Sequence, residues 1–592
     1  VLVFDGDCGF CRLWISRWRR ATGSSVDYEP YQSAAADHKE VPREALAEAV
    51  HLFEPDRTSR GAEAVLRALS YAPGLGWLPR LYAAPGAAPV SEAVYRFVAA
   101  RRPLFARLTR LLWGHSTVPA SVAFTARLVL AGLGLCYLLA FASLGGQVRG
   151  LIGSNGVMPA AAMLQAARGQ LGSARFWLFP SVAWLSASDA ALSAYCGLGG
   201  LAALGLIFGV AAGPCALLCW ALYLSLCAVG SDFMSYQWDV LLLEAGLVAC
   251  FLAPWSWTGK RSAAPSRGAL WLLRLLLLKL MLQSGLVKLL SGDPSWRDLT
   301  ALTYHYWTQP LPTPLAWWAN RLPLWFQKLS CLVMFAVELA APLLILLPRR
   351  ARAAGAAAVC VLMVLIAATG NYGFFNLLTV VLCLACLDDR FFGRAEKAPA
   401  GAAAPKARAR GVAVLAAVSL TIGLFETLAI AGVPPPAPAR ALIAAVSPLR
   451  SFNSYGLFAV MTRERDEIAV EVSADGSDWL EWPFPYKPGD PRRAPPLAAP
   501  LMPRLDWQCW FAALGEPGDS PWFANLIFRL LEGSPSVARL MGPSPLAGGR
   551  PLYARAVRYK TRFASADVRR SSGAWWTRER AGLFFPVVSL KP

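Results

Sequence analysis

Apolar positions along the 592-residue chain fall into three regimes. At the start, Val1-Leu2-Val3-Phe4 is a short apolar run ended by Asp5-Gly6, which predicts a buried strand and a turn. Over 8–20, Leu13, Trp14, Ile15 and Trp18 recur at helical spacing, and 44–50, 62–70 and 91–100 read as further helices. Strand, turn, cysteine pair and helix predict a small α/β domain over 1–118. From 119 to 431 the pattern changes to long apolar stretches, about nine in number: 122–142, 191–211, 214–230, 237–254, 270–290, 326–347, 354–369, 376–388 and 411–431. Some fall short of the roughly 20 residues that a spanning helix needs, but together they predict a mainly α-helical polytopic membrane domain. Val433-Pro434-Pro435-Pro436 then reads as a stiff exit linker. Residues 440–592 return to soluble patterning, with strands expected at 456–461, 467–472 and 479–484 and a turn at Ala474-Asp475-Gly476. Helices are expected at 507–514 and 522–532, giving a small β-rich domain.

Composition narrows the class. Hydrophobic residues make up 56% and charged residues 16%, against about 25% charged in soluble domains, and mean hydropathy is +0.42. A soluble enzyme, a disordered chain and a disulfide-dense module are excluded. The 57 Lys and Arg against 37 Asp and Glu leave +20, and in this setting the surplus points to membrane lipids, not nucleic acid. Its placement orients the chain. Arg101, Arg102, Arg107 and Arg110 precede the first stretch; Lys260, Arg261 and Arg267 lie between the fourth and fifth; Arg349, Arg350 and Arg352 between the sixth and seventh. Arg390, Arg394, Lys397, Lys406, Arg408 and Arg410 lie between the eighth and ninth, partly in an Ala/Pro/basic linker over 395–410. With nine spans all four groups share one side, expected to be cytoplasmic, which puts the N-terminal domain inside and the tail outside. The chain opens on Val1 and not Met, as a fragment would, and no signal peptide is evident there. The 23 Trp suit interfacial belts, the 13 Cys outline no disulfide framework, and four His argue against a His-rich metal site. No metal or cofactor is expected.

Asp5-Gly6-Asp7-Cys8-Gly9-Phe10-Cys11 is the sharpest soluble motif. Two Cys three apart at a helix start fit a redox pair, because the helix N-terminus favours a thiolate and the spacing lets a disulfide close. Half of a zinc site is the competing reading, and it would need ligands from a partner chain. Asp7 beside Cys8 opposes a strong nucleophile and suits proton transfer.

In the membrane region Asp239, Glu244, Lys279, Lys288, Glu338 and Glu426 sit in or at apolar stretches, where an ionisable group costs about 3 kcal/mol unless partnered. Counting about 1.5 Å per residue from the stretch ends puts Glu244, Lys279 and Glu338 near the bilayer middle. A buried Glu244–Lys279–Glu338 cluster is expected, with Gln283 one turn from Lys279 and Asp239 nearby. It could be a structural lock or a working site. Outside the membrane, the loop from Gly292 to Pro312 is dense in Pro, Trp and Tyr and carries Arg297, Asp298 and His305, the acid/base candidate, whose alternative is an interfacial ring with a satisfied hydrogen bond. Cys383/Cys386 and Cys215/Cys219 read first as buried small hydrophobes.

Two resemblances carry further implications. Asp7, Cys8 and Cys11, with His51-Leu52-Phe53, Gly61-Ala62-Glu63-Ala64 and Val94-Tyr95-Arg96-Phe97-Val98, resemble the DCC family of thiol-disulfide oxidoreductases over roughly 1–112. That resemblance implies a thioredoxin-like domain with dithiol exchange; Pro55 and Pro79 are the candidates for its cis-Pro. Separately, Gln147-Val148-Arg149-Gly150-Leu151-Ile152-Gly153, Gln237-Trp238-Asp239, Leu242-Leu243-Glu244, the run from Ser284 to Thr300, 304–312 and 370–376 look like the lipase maturation factor family. So do 453–462, Tyr486-Lys487-Pro488-Gly489-Asp490 and Pro503-Arg504-Leu505-Asp506-Trp507-Gln508, so the likeness covers about 120–565. Cys509 stands where the family is expected to carry Met. The resemblance implies a membrane factor that helps secreted lipases fold, in the endoplasmic reticulum for eukaryotic members. The Ala/Arg/Gly-rich composition and the fused dithiol domain suit a bacterial inner-membrane member.

Three functions follow from these readings. One is a maturation factor whose domain over 440–592 binds a secreted client such as a lipase, with exposed Trp479, Trp482, Trp507 or Trp510 as a client surface or, more plainly, as core. Another is a membrane redox enzyme, with Cys8 attacking and Cys11 resolving, served by a thiol reductant and relaying electrons through Cys383/Cys386. The third, by analogy with the vitamin K-dependent carboxylase group, which the family resembles in membrane architecture, is an intramembrane enzyme on a lipid or quinone-like substrate, with Lys279, Glu244 and His305 at work.

Overall fold

The opening apolar run forms strand β1 (Leu2–Phe4), and Cys8 caps the helix Gly9–Thr22 that follows. The structure, a computed structural model, describes residues 1–257, 264–394, 405–546 and 549–590; Lys260, Arg261, Lys397 and residues 395–404 of the basic linker lie outside them. The chain divides into two units, one built on Val1–Ser121 together with Leu346–Ala353 and a short segment from Phe392, the other on the rest of the chain from Val122 onward.

In the first unit, β1 pairs in parallel with β2 (Tyr28–Pro30) and antiparallel with β3 (His51–Glu54), which pairs antiparallel with β4 (Arg57–Arg60). The sheet order β2-β1-β3-β4 is that of a thioredoxin-like core. Side chains alternate across β1 as the strand period of two requires. Leu2 and Phe4 pack with Ile15, Ala64 and Ala68 from the helices Gly9–Thr22 and Gly61–Ser70. Val3 faces Ala34 and Leu46 on the other side. The segment entering β3 is Ala49-Val50, and neither Pro55 nor Pro79 follows a cis bond: among the described residues the one cis X–Pro bond is Ala499–Pro500.

In the second unit each of the nine predicted stretches is helical. Seven are long and apolar enough to span a membrane: Ala123–Gly145, Asp189–Phe208, Ala212–Val229, Arg267–Leu290, Leu324–Leu346, Arg349–Thr369 and Lys406–Ile430. The fourth, Gln237–Leu252, has 16 residues, and the eighth, Phe375–Leu384, has 10. Both are shortened by polar residues at their ends. Leu324–Leu346 changes to π-helix over Ala336–Ala340, around Glu338, a local widening of the kind that admits a polar side chain.

The helix ends hydrogen-bond in a pattern that fits up-and-down packing. Arg127, early in the first helix, donates to Leu206 O at the end of the second (3.2 Å). Arg408, early in the last, donates to Phe251 O and Leu252 O at the end of the fourth (both 2.7 Å). Thr125 N donates to Asp389, just after the eighth (2.9 Å).

The C-terminal sheet is wholly antiparallel, in the order β6-β5-β7-β8, with β5 Asp466–Ser473, β6 Leu480–Trp482, β7 Tyr553–Phe563 and β8 Trp576–Ser589. Residues 456–461, expected as a strand, are irregular. They run across the bundle, and their backbone is satisfied by Asp293 and Gln237 side chains in place of a ladder. The long β7–β8 hairpin had no counterpart in the sequence reading, because its Arg, Lys and Thr alternate with small or aromatic residues and not with a plain apolar run. One continuous hydrophobic core runs from Val122 in the first helix to Phe584 in β8.

Candidate functional site

Cys8 is the N-cap of its helix, and its Sγ accepts a hydrogen bond from Cys11 N at 3.3 Å. Both thiols are free and half-buried. Burial pushes the Cys11 thiol up, and contact with Cys8 pushes it further; Cys8 is the sulfur at the helix start. Asp7 is exposed, and its carboxylate accepts from Gln32 Nε2 at 3.0 Å. Gln32 also reaches Asp5 (3.2 Å), which Arg102 pairs at 3.4 Å. The acidic residues before the pair are thus held by Gln32 and Arg102. Behind Cys11 lies an open cavity of about 490 Å³ with apolar walls that include Phe10, Trp14, Val65, Val94 and Tyr95. The Tyr95 hydroxyl accepts from Val50 N at 3.0 Å.

Five of the six charges named in the membrane helices separate into three pairs, not one cluster, and the sixth, Glu426, lies within electrostatic reach of Lys279 and Glu244. Lys279 Nζ lies 2.6 Å from Glu244 Oε1. Tyr455 completes this site: its hydroxyl donates to Glu244 Oε2 (2.7 Å) and its N–H to Gln283 Oε1 (2.9 Å), while Gln283 donates to Thr427 Oγ1 (2.9 Å). Glu244, Lys279 and Gln283 therefore do come together. Glu338 does not join them; Lys288 holds it at 2.6 and 2.8 Å. The reason is helical phase. Lys279 and Lys288 share the helix Arg267–Leu290 but stand nine positions apart, about two and a half turns, on opposite faces. Asp239 is bound elsewhere again, by Arg504 in a fork of two 2.8 Å bonds, with the Tyr223 hydroxyl donating at 2.5 Å. Arg504 and Asp239 are both fully buried. A pocket of about 280 Å³ opens onto the Lys279–Glu244 pair between the helices Arg267–Leu290 and Lys406–Ile430. Gly423 makes room for it, since a Cβ there would stand 3.3 Å from Lys279 Cδ.

In the loop 292–312, His305 Nε2 lies 3.3 Å from the Tyr372 hydroxyl, which donates to Gln309 at 2.8 Å. Arg297 and Asp298 are exposed, and among the described residues no hydrogen bond or ion pair joins either to His305. The loop's buried carboxylate is Asp293, which sequence reasoning passed over. It accepts from Ser295 and from Met461 N and pairs Arg463, and these bonds hold it below the usual carboxylate range against the opposing pull of burial. Cys215 and Cys219 donate to backbone carbonyls, and Cys383 lies in hydrogen-bonding contact with Cys360 of the neighbouring helix.

The motifs quoted from 453–508 fasten the C-terminal region to the loops at one face of the bundle. Gln147, after the first helix, donates to Met502 O and accepts from Arg504 N. Arg504 reaches Phe233 O, after the third. Arg465, wholly buried beside Glu467, donates to the carbonyls of Trp307, Gln309 and Pro310, after the fifth. Asn371, after the seventh, donates to Pro496 O and accepts from the N–H groups of Ala498 and Ala499. Trp482, Trp507 and Trp510 are buried, so core packing is their role, while Trp479 is half-buried with the Arg555 guanidinium over its ring. Cys509 is buried as well.

Comparison with known proteins agrees in all three regions. Residues 2–108 match the DCC1-like thiol-disulfide oxidoreductase family. Residues 124–394 match the lipase maturation factor transmembrane domain, and 451–586 its C-terminal domain. Human lipase maturation factor 2 is 35% identical, aligned over 78% of this chain and 82% of its own. The chicken protein of that name is 34% identical over 78% and 81%, and bovine lipase maturation factor 1 is 34% identical over 78% and 88%. No solved structure matches. With the apolar helices, these likenesses make the chain an integral membrane protein of the lipase maturation factor family, carrying a DCC1-like domain at its N-terminal end.

Proposed function

We propose that the protein assists maturation of a secreted lipase or another exported protein, and that Cys8 and Cys11 add a thiol-disulfide exchange activity. The observation that carries the reading is the fastening of the C-terminal region to the loops after the first, third, fifth and seventh helices through Gln147, Arg504, Arg465 and Asn371. It holds a broad protein surface rigidly at one face of the bundle, as a folding platform for a client requires. We divide the chain accordingly into a dithiol domain (1–118), a membrane domain (119–431) and an extracytoplasmic client domain (440–592). A bacterial inner membrane with the N-terminus inside suits the basic connections. In the exchange step, a thiolate at Cys8 attacks a substrate disulfide and forms a mixed disulfide. Cys11, deprotonated in turn, attacks Cys8 Sγ, releases the substrate as a dithiol and leaves Cys8–Cys11 oxidised; a thiol reductant returns the pair. Glu244, Lys279 and Gln283, with His305, Asp293 and Glu338, serve in this reading to lock the bundle.

The test uses the full chain co-expressed with a secreted lipase. Deleting the protein should lower the yield of active lipase, and Cys8→Ser should abolish reduction of a disulfide reporter while lipase still co-purifies. Unchanged lipase yield on deletion would refute the maturation role, and unchanged reporter reduction the exchange role.

A further inference from the structure

The helices Ala87–Ala100 and Arg102–Trp113, just before the first span, each expose an apolar stripe that the core does not use. On the first, Val90, Val94 and Phe97 are 64%, 58% and 52% exposed; on the second, Leu104, Leu108 and Leu111 are 50%, 41% and 65% exposed. Both sets stand at i, i+4 and i+7, which is one helix face. The second helix has its inward contacts already: Ala106 and Thr109 are buried, and the Phe105 ring packs on Phe10 and Phe97. Six exposed large apolar side chains at regular helical spacing on two consecutive helices are not the singly scattered surface residues that a water-facing helix ordinarily carries.

Arg96, Arg101, Arg107 and Arg110 lie among these positions, and the sequence holds no Asp or Glu between Glu92 and Asp189. The Arg101 guanidinium lies 4.2 Å from the centre of the Phe97 ring. An apolar stripe edged by arginines, whose stems follow the apolar surface while their heads stay in the polar layer, is the pattern of a helix in a lipid interface. Position on the chain agrees. Trp113 is ten residues from Ala123, the start of a span, so the helix lies within about 36 Å of it. Arg350 adds a further guanidinium here, its Nη1 donating to Arg110 O at 3.3 Å.

We propose that these two helices bed into the surface of an anionic lipid leaflet, with Val90, Val94, Phe97, Leu104, Leu108 and Leu111 among the acyl chains and the arginines at the phosphates. This surface holds the dithiol domain against the membrane. Val90 and Val94 also line the cavity behind Cys11, so the cavity's rim is part of the lipid-contacting face. The inference does not rest on the exchange activity.

The experiment is photo-cross-linking with the full chain in nanodiscs of phosphatidylcholine, with or without phosphatidylglycerol. A benzoylphenylalanine in place of Leu108 or Leu111 should capture phospholipid, and one in place of exposed Asp56, in the β3–β4 turn, should not. Phosphatidylglycerol should raise the yield several-fold at Leu108, and Arg107→Glu with Arg110→Glu should reverse that gain. Capture of a second copy of the chain, capture of another protein, or equal lipid capture at Asp56 would overturn the proposal. None of these readouts depends on Cys8.

Discussion

His305 packs edge-on against the Phe458 ring, 4.7 Å between centroids, with its Nε2 against the Tyr372 hydroxyl. Burial, and then the charge of Lys288, lower its pKa to about 4, against about 6.5 in an unfolded chain. Between those values the unfolded chain binds the additional proton, so the folded state loses stability as pH falls from about 6.5 to 4 and is unaffected above. His305→Gln keeps a polar side chain and removes this titration. In detergent, the drop in melting temperature between pH 7 and pH 5 should be smaller in the variant; an equal drop would exclude His305 as a source. Burial disfavours the charged ring, which suits a hydrogen-bonding partner of Tyr372 better than an acid working near neutral pH. Single residues differ in how far sequence betrays them. Cys8 and Cys11 were readable because their chemistry needs only local spacing. Arg504 and Arg465 were not: each lies in a soluble-looking segment, and the Arg504 partner Asp239 is 265 positions away. Charge and a hydrophobic neighbourhood mark Asp239 as needing a partner, but nothing in its own helix names one.

At the scale of elements, the helix Arg267–Leu290 carries two lysines that serve different neighbours. Sequence depth alone put Lys279, Glu244 and Glu338 at one level; the structure pairs Lys279 with Glu244, but Glu338 with Lys288, which stands about 13.5 Å along the helix from Lys279 and on its opposite face. A double-mutant cycle separates the two. Lys288→Met should cost about 3–5 kcal/mol by leaving Glu338 buried without a partner, and adding Glu338→Gln should recover most of it. The same cycle run on Lys279→Met and Glu338→Gln should be additive to within about 0.5 kcal/mol. Measured by thermal unfolding in one detergent, a coupling well above that between Lys279 and Glu338 would restore the single cluster. The helices themselves were legible throughout the membrane region, since a run of apolar residues announces a span whatever its partners. The β7–β8 hairpin was not, because its inward positions include Ala554, Ala556 and Val557, too small to stand out against the arginines between them.

At the scale of the molecule, the membrane bundle and the C-terminal sheet share one core, and three of the side chains that join them, Asn371, Arg465 and Arg504, are buried polar groups. Two kinds of energy hold that joint. Apolar burial supplies most of it without direction. The polar fasteners supply the register, since each loses its bonds if the region shifts by a residue. Asn371→Ala strands the N–H groups of Ala498 and Ala499 and should cost about 1–3 kcal/mol. Arg504→Met leaves Asp239 charged with the Tyr223 hydroxyl but without its guanidinium, at a cost of about 3–5 kcal/mol. If the shared core makes bundle and tail one cooperative body, both variants should lower a single melting transition, and trypsin should cut the tail and the bundle loops together as that transition is approached. Asp239→Asn added to Arg504→Met should bring the transition part of the way back, because it removes the stranded charge without restoring the fork. The contrary result is specific: a tail fragment beginning near 450, released by trypsin from Arg504→Met while the bundle melts at its original temperature, would mean that the polar fasteners alone join two separately stable bodies.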